Sequence, residues 1–352
     1  MKKFLTIPAA ILTFAAMLLF TGCGDESSDT GTKSNGDQVS ASKVAENSSG
    51  KRGSKFTPKE VSGNLTVKML NVGQGDSILI QTDSQNILID TSDVDERDKL
   101  ENELHKAKIK TIDQLILTHP HADHIGGAEI LLDGKHGFEV KKVYDNGMPS
   151  TSSFYVNKKG TGYMNLIEAN DIDYESLDSS HAPLDFGNGA QFEILYPTPE
   201  LVADGSEKGY KHDPNNESVV GRLTFGGFSM MFTGDAESKT ERAIVAINSA
   251  LKSNVLKSGH HGSKTASSKE FLNAVKPEYV LISAGEPDVD RANTYGHPHR
   301  EALNRYINAG LSRENILWTW ENGTITITSD GKSFSVKTEK KSSNWIDDRL
   351  KK

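Results

Sequence analysis

The sequence is poor in three things: cysteine, positive charge and long apolar runs. Cys23 is the only cysteine in 352 residues, so no internal disulfide can form. Lys and Arg number 40 against 48 Asp and Glu, a formal charge of −8, whereas proteins that grip a phosphate backbone usually present a basic face. After Phe20 no segment is long and apolar enough to span a bilayer, so the chain is not expected to form a membrane channel. With 35% hydrophobic and 25% charged residues it can still bury a substantial core, which fits neither a fibrous nor a wholly disordered chain.

The start, "MKKFLTIPAAILTFAAMLLFTGC", sets two lysines before an apolar stretch from Phe4 to Phe20 and small residues before Cys23. This is the order of an export signal rather than a retained membrane helix, because the run is short and ends in Thr-Gly-Cys instead of basic residues. "FTGC" resembles the cleavage motif of bacterial lipoproteins, with Phe20 departing from the usual aliphatic residue. That resemblance implies a signal peptide over 1–22, a lipid anchor on Cys23 and a place on the outer face of the cell membrane. A lipidated Cys23 leaves no thiolate for metal or nucleophilic chemistry. Residues 23–60, rich in Ser, Gly, Asp and Lys, bury too little apolar surface to offset their ordering entropy and read as a disordered tether. Residues 338–352 read as a charged tail that frays or forms a short helix, with Trp345 as a local packing contact.

Between them, 61–337 reads as one α/β domain. "NLTVKML" alternates, and "DSILIQT" and "NILID" follow as short apolar runs between polar turns, which predicts three sequential strands. "DERDKLENELHKAK" has helical rhythm, then comes the strand "DQLILTH" and the helical "ADHIGGAEILL". A second series, "AQFEILYP", "SVVGRLTFGG" and "FSMMFTGDAE", begins at Ala190 and gives way to alternating helices and strands. Two strand-rich halves flanked by helices imply two packed sheets covered on their outer faces. "NILIDTSD" and "SMMFTGDAE" both close on an aspartate, Asp90 and Asp235, and a folded duplication would bring these two to one shared edge.

The stretch "LILTHPHADHIGGAEILL" holds His119, His121, Asp123 and His124 within six residues. His119 and His121 alternate at a strand end while His124 opens the next helix beside Asp123, so a strand-to-helix corner can converge all four. Clustered imidazoles and carboxylates suit a divalent ion such as zinc, manganese or iron. Four ligands from one corner are too many for a single open catalytic ion, which points to two ions sharing the cluster. A surface turn rich in histidine is the alternative. Against it stand two further pairs, His260 and His261 in "SGHHGSK" and His297 and His299 in "TYGHPHRE", so that seven of eleven histidines fall in three places. One member of each later pair is open to a supporting or substrate-facing place. His105, His136, His181 and His212 are isolated in polar surroundings and read as solvated.

In order along the chain, "LNVGQGDSILIQT", "NILIDTS", "THPHADHIGG", "NNESVVGRL", "MMFTGDAE", "LKSGHHGSK" and "YGHPH" resemble the motifs of the metallo-β-lactamase superfamily, and within it those of the ComEC-like competence hydrolase domain. The likeness runs from Asn64 to Val336. It implies a four-layer αββα sandwich and two divalent metal ions, zinc or manganese. His119, His121, Asp123 and His124 match the first ligand cluster, Asp235 the carboxylate that bridges two metals, and His299 the final ligand. His260 is the better direct ligand of its pair, which leaves His261 and His297 to supporting or substrate-facing places. Asp90 matches a buried aspartate that supports the ligand loop. One departure is visible: many members supply another histidine before the bridging aspartate, where "NNESVV" offers Asn216 and Ser218. The later histidine pair is left to fill that place.

Two adjacent cations, bridged by Asp235, lower the pKa of a bound water and clamp attacking and leaving oxygens, so a bridging hydroxide is the expected nucleophile, held in line by Asp123. Lys264, with Gly262 and Ser263, offers either a phosphate-holding loop or a simple turn, and "VGQGDS" either a phosphate nest or a tight structural loop. Lys141, Lys142, Lys158 and Lys159 offer a basic patch or solvated charge. Phe154, Tyr155 and Tyr163 offer base stacking or core packing. Three functions follow: a cell-surface phosphodiesterase or nuclease acting on DNA or a related phosphodiester, a hydrolase of small esters, lactones or lactams, and a non-enzymatic binding module. The resemblance favours the first. The lack of a free thiolate argues against β-lactamases with a cysteine ligand, and the full ligand set argues against a binding module. No protein partner is inferable.

Overall fold

The computed structural model describes residues 51–56, 59–287, 293–342 and 344–351. The signal segment, Cys23 and most of the expected tether lie outside the described residues.

Two sheets form the centre. An eight-stranded sheet runs in the order Phe334–Thr338, Ile325–Ser329, Leu65–Met69, Ile78–Gln81, Asn86–Ile89, Gln114–Ile116, Lys142–Asp145, Asp173–Ser176. A seven-stranded sheet runs Ile316–Trp318, Tyr279–Ile282, Val255–Lys257, Phe228–Phe232, Val220–Phe225, Ala190–Tyr196, Leu184–Gly187. Each sheet is antiparallel through its early strands and turns parallel beyond Asn86–Ile89 or Phe228–Phe232. Strand alternation makes the layers. Ile78, Ile80, Ile87 and Ile89 meet Phe192, Leu223, Phe225, Met230 and Phe232 between the sheets, while Leu79, Leu88, Leu115 and Val143 face outward.

Helices cover both outer faces. Arg97–Lys106, Ala128–Leu132 and Tyr163–Ala169 lay Leu100, Leu104, Leu131 and Leu166 on the first sheet. Ser238–Ile247, Lys269–Val275 and Arg300–Asn308 lay Ile244, Phe271, Leu272 and Leu303 on the second. The result is the expected αββα sandwich. Fully burying a large apolar side chain contributes about 1.5–3 kcal/mol, so truncating Phe192, sealed between the sheets, should cost about 3–5 kcal/mol.

One boundary differs from the sequence reading. Residues 51–56, expected within the tether, are bound to the domain: Arg52 exchanges backbone hydrogen bonds with Ile247 and Ser249, and Ser54 and Lys55 donate to the Glu193 carboxylate. These contacts are polar, and composition alone registers only apolar burial. At the other end the tail forms the short helix Trp345–Lys351, one of its two expected states, and Trp345 makes the expected packing contact, buried against Trp318 at 5.1 Å between ring centroids.

Candidate metal centre

Asp90 and Asp235 each follow the strand at which their sheet changes from antiparallel to parallel. The turn after Gln114–Ile116 enters between them. That strand ends earlier than "DQLILTH" suggests, so His119 and His121 stand in the following loop, with His121 capping the short helix Ala122–Ile125. The "VGQGD" loop packs beneath. Gly75 has φ +107°, and a Cβ there would come within 2.3 Å of the Asp123 carbonyl, so the glycine allows the two loops to touch. Its role is therefore the structural one, and its aspartate, Asp76, is carried into the centre.

Two groups of ligand atoms converge. Asp76, His124, Asp235 and His261 each offer an atom within 4.8 Å of the others, and so do His119, His121 and Asp235, which makes Asp235 common to both. At the first pole His124 Nε2 lies 3.2 Å from His261 Nε2 and 3.2 Å from Asp235 Oδ1, and His261 Nε2 lies 3.2 Å from Asp123 Oδ2 and 3.4 Å from Asp235 Oδ1. A tetrahedral ion with ligands at about 2.0–2.1 Å sets them about 3.3 Å apart, which is the spacing found. Asp76 sits behind this pole, its Oδ1 3.5 Å from His261 Nδ1. At the second pole His119 Nε2 lies 3.0 Å from His121 Nδ1 and 3.9 Å from Asp235 Oδ2.

The donor chemistry fits a divalent metal. Asp76 Oδ1 and Asp235 Oδ1 are buried and accept no hydrogen bond among the described residues, an arrangement that is expensive unless a cation takes the oxygen. Burial pushes the Asp235 carboxyl up, but the charges of His261, His124 and His260 overcome it and hold it well below the usual carboxylate range. Burial likewise pushes His124 and His261 down, and Asp235 reverses it, so both imidazoles are held well above their ordinary value. His119, by contrast, is held well below its ordinary value by burial and then by His124, and is neutral as a ligand must be.

The ring orientations are set from behind. Asp90 accepts from Thr118 N at 2.7 Å, Thr118 Oγ1 at 2.8 Å and His124 Nδ1 at 2.7 Å, which turns His124 Nε2 toward Asp235. His261 Nδ1 donates to Ser283 O at 2.8 Å, leaving Nε2 inward. His260 and His261 both have positive φ, 46° and 54°, a strained pair for non-glycine residues. His261 Nε2 lies beside Asp235 Oδ1, while His260 Nε2 lies 3.7 Å from Oδ2 and its Nδ1 meets Glu237 at 3.1 Å.

Several sequence assignments change. His261, not His260, stands at the first pole, and His260 flanks the second. His299 is in neither group. Its Nδ1 accepts from Lys264 N at 3.1 Å, so it ties two loops together rather than facing the cluster. His297 is buried close to His260 and His261, with ring centroids 5.2 and 5.9 Å away; burial and then those imidazoles push it down to about 2. Ser218 Oγ accepts from Asp235 N at 3.1 Å, whereas Asn216 is spent on Asp213, Glu237 and Thr240. The loop after the histidine pair is a turn: Ser263 N donates to His260 O and Lys264 N to His299, so neither is open to phosphate, and Lys264 keeps only an exposed side chain. Ser263 Oγ pairs with Thr265 Oγ1 at 2.8 Å. Lys141 and Lys142 are paired with Asp113 and Glu175, and Tyr163 is buried on Asp145.

Two functional residues were missed. Asp76 was read only as the end of a glycine loop. Lys257, fully buried, forms an ion pair with Asp76 Oδ2, donates to Gly234 O at 3.0 Å and lies 3.9 Å from Asp235 Oδ1. A lysine closing the apolar strand "NVLKSG" was the available signal.

The fold agrees with sequence comparison. Residues 70–286 match the family model of the metallo-beta-lactamase superfamily, and the chain belongs to that superfamily. It is a hydrolase of that fold with a buried His/Asp site compatible with divalent metal. ComE operon protein 3 of Bacillus subtilis is 33% identical over 279 residues, 74% of this chain and 32% of the relative. Competence protein ComA of Neisseria gonorrhoeae is 31% identical over 259 residues, 73% of this chain and 32% of the relative. The chain thus spans about a third of the length of these curated relatives. Among solved structures, the metallo-beta-lactamase fold protein YhfI from Bacillus subtilis aligns with TM-score 0.46 and 13% identity over 75% of this chain and 100% of that one.

Proposed function

We propose that this chain is a metal-dependent phosphodiesterase that acts on DNA or a related phosphodiester at the cell surface, held there by a lipid on Cys23. The observation that carries the reading is Asp235, whose two carboxylate oxygens face two separate ligand groups with no cysteine in either. Such a set favours hard cations beside an open position, which suits the charged oxygens of a phosphodiester. Bound ions would supply Lewis acidity and an activated water. His119, His121 and His260 would hold one, and Asp123, His124 and His261 the other, with Asp235 between them. Asp90 and Ser283 keep the imidazole nitrogens aimed, Ser218 fixes the Asp235 backbone, and Lys264 offers charge at the mouth. A relative named as a competence protein and another of Haemophilus influenzae named Recombination protein 2 support nucleic acid as the substrate class.

Zinc- or manganese-loaded protein assayed on single- and double-stranded DNA, bis-p-nitrophenyl phosphate and a chromogenic cephalosporin tests the reading. Phosphodiester cleavage is expected. Ready opening of lactams or esters with every phosphodiester left intact would sink it in favour of a small-ester or lactam hydrolase. The anchor is tested separately: Cys23→Ala should move the protein from the membrane to the soluble fraction, and equal detergent partitioning of both forms refutes it.

A further inference from the structure

Tyr295 is 73% exposed, the most exposed large apolar side chain among the described residues. An aromatic in that position usually lies on a loose loop, but this one is braced. Asn293, fully buried, donates through Nδ2 to Gly285 O at 2.6 Å and His297 O at 2.8 Å and accepts from His297 N at 2.9 Å. Arg349, from the C-terminal helix, donates to Gly296 O at 2.5 Å and Pro298 O at 2.7 Å. His299, four residues on, holds Lys264 N through Nδ1 at 3.1 Å. The turn is therefore tied to the second sheet, the terminal helix and the histidine loop together.

What the turn presents is a ring stack. The phenol lies 20° from parallel to the His297 ring with centroids 5.9 Å apart, and His297 in turn lies 5.2 Å from His260 beside the metal centre. One face of the stack is buried histidine and the outer end is a wet aromatic. Burial does not explain the bracing, because the ring it positions is left in water.

We propose that Tyr295 is a stacking platform for a nucleobase next to the phosphodiester held at the metal centre. The proposal rests on the phosphodiesterase reading and adds to it that the substrate carries bases. A flat ring fixed in place stacks any base with little ordering cost, and single-strand binders gain about 1–3 kcal/mol per stacked base in this way. It also relieves the charge problem, since stacking supplies binding that an acidic surface does not.

The test uses the full chain loaded with manganese and two single-stranded oligonucleotides of one length, one with bases throughout and one with abasic sites across the cleaved region. For Y295A, KM on the base-bearing strand is expected to rise on the order of tenfold, with a much smaller rise on the abasic strand, and Y295F and Y295W are expected to restore it. An equal loss on both strands, or no loss on the base-bearing strand, overturns the platform while leaving phosphodiesterase activity standing. If the wild type cleaves neither strand, the phosphodiesterase reading has failed. The platform is then read by fluorescence anisotropy with phosphorothioate oligothymidine, where equal binding by wild type and Y295A overturns it.

Discussion

Asp90 and Asp235 hold matching places in the two halves, each just past the strand where its sheet turns parallel, yet they do opposite work. Asp90 has both oxygens occupied by Thr118 and His124. Asp235 has its backbone held by Ser218 but keeps Oδ1 buried with no donor. A single imidazole, His124, joins the two, with Nδ1 on Asp90 and Nε2 beside Asp235. The lesson concerns how two matching frames differ in chemistry: the satisfied aspartate is structure, and the unsatisfied one is the site.

The comparison breaks most visibly at the unsatisfied aspartate. Asp235→Ala should take bound divalent ions from about two per chain to one or none, as a shared bridge requires, and abolish hydrolysis in protein that still folds. Full occupancy by elemental analysis would remove Asp235 from the bridging place. Next in size is Lys257→Met, which leaves Asp76 charged and buried without its partner and should cost about 3–5 kcal/mol in chemical denaturation. A loss below about 1 kcal/mol would mean that water reaches Asp76. Asp90→Asn keeps the shape but spoils the acceptor for His124 Nδ1, so divalent affinity measured against a chelator should fall about 10- to 100-fold. Unchanged affinity would show that the satisfied aspartate holds nothing in place.

A subtler difference is expected in pH dependence. His124 and His261 have folded pKa values raised above their unfolded value of about 6.5. The stability they contribute is full below that value and is lost as pH rises through the folded pKa values. Metal-free protein should therefore become less stable from neutral to alkaline pH. The metal-loaded form should not follow, because metal takes the place of those protons. Parallel slopes with and without chelator would count against these assignments. The smallest effect belongs to His212→Ala, which should leave metal content unchanged.

The layers were legible because alternation in "DSILIQT" and "FSMMFTGD" reports which face each side chain takes. The first ligand cluster was legible because its residues are neighbours in the chain. Periodicity does not report what happens past the end of a strand, and there the reading slipped. His260 and His261 are adjacent, and only their left-handed backbone assigns one to each pole. His299 sits in a metal-like motif but has Nδ1 engaged by the Lys264 backbone. Asp76 and Lys257 lie 181 residues apart and look ordinary until the fold buries them as a pair. Residues 51–56 looked like tether because the contacts that fix them are polar.

The last two strands, Ile325–Ser329 and Phe334–Thr338, follow the second sheet in the chain but complete the first, where Ile325–Ser329 pairs with Leu65–Met69. During synthesis the first sheet therefore waits with an open edge while more than two hundred residues are added. An edge left unpaired for that long is an invitation to pair with another chain, and so distant a partner slows closure. The domain is thus a late-closing fold, in which a stop shortly before Ile325 would release two nearly finished sheets and an exposed edge rather than one working half.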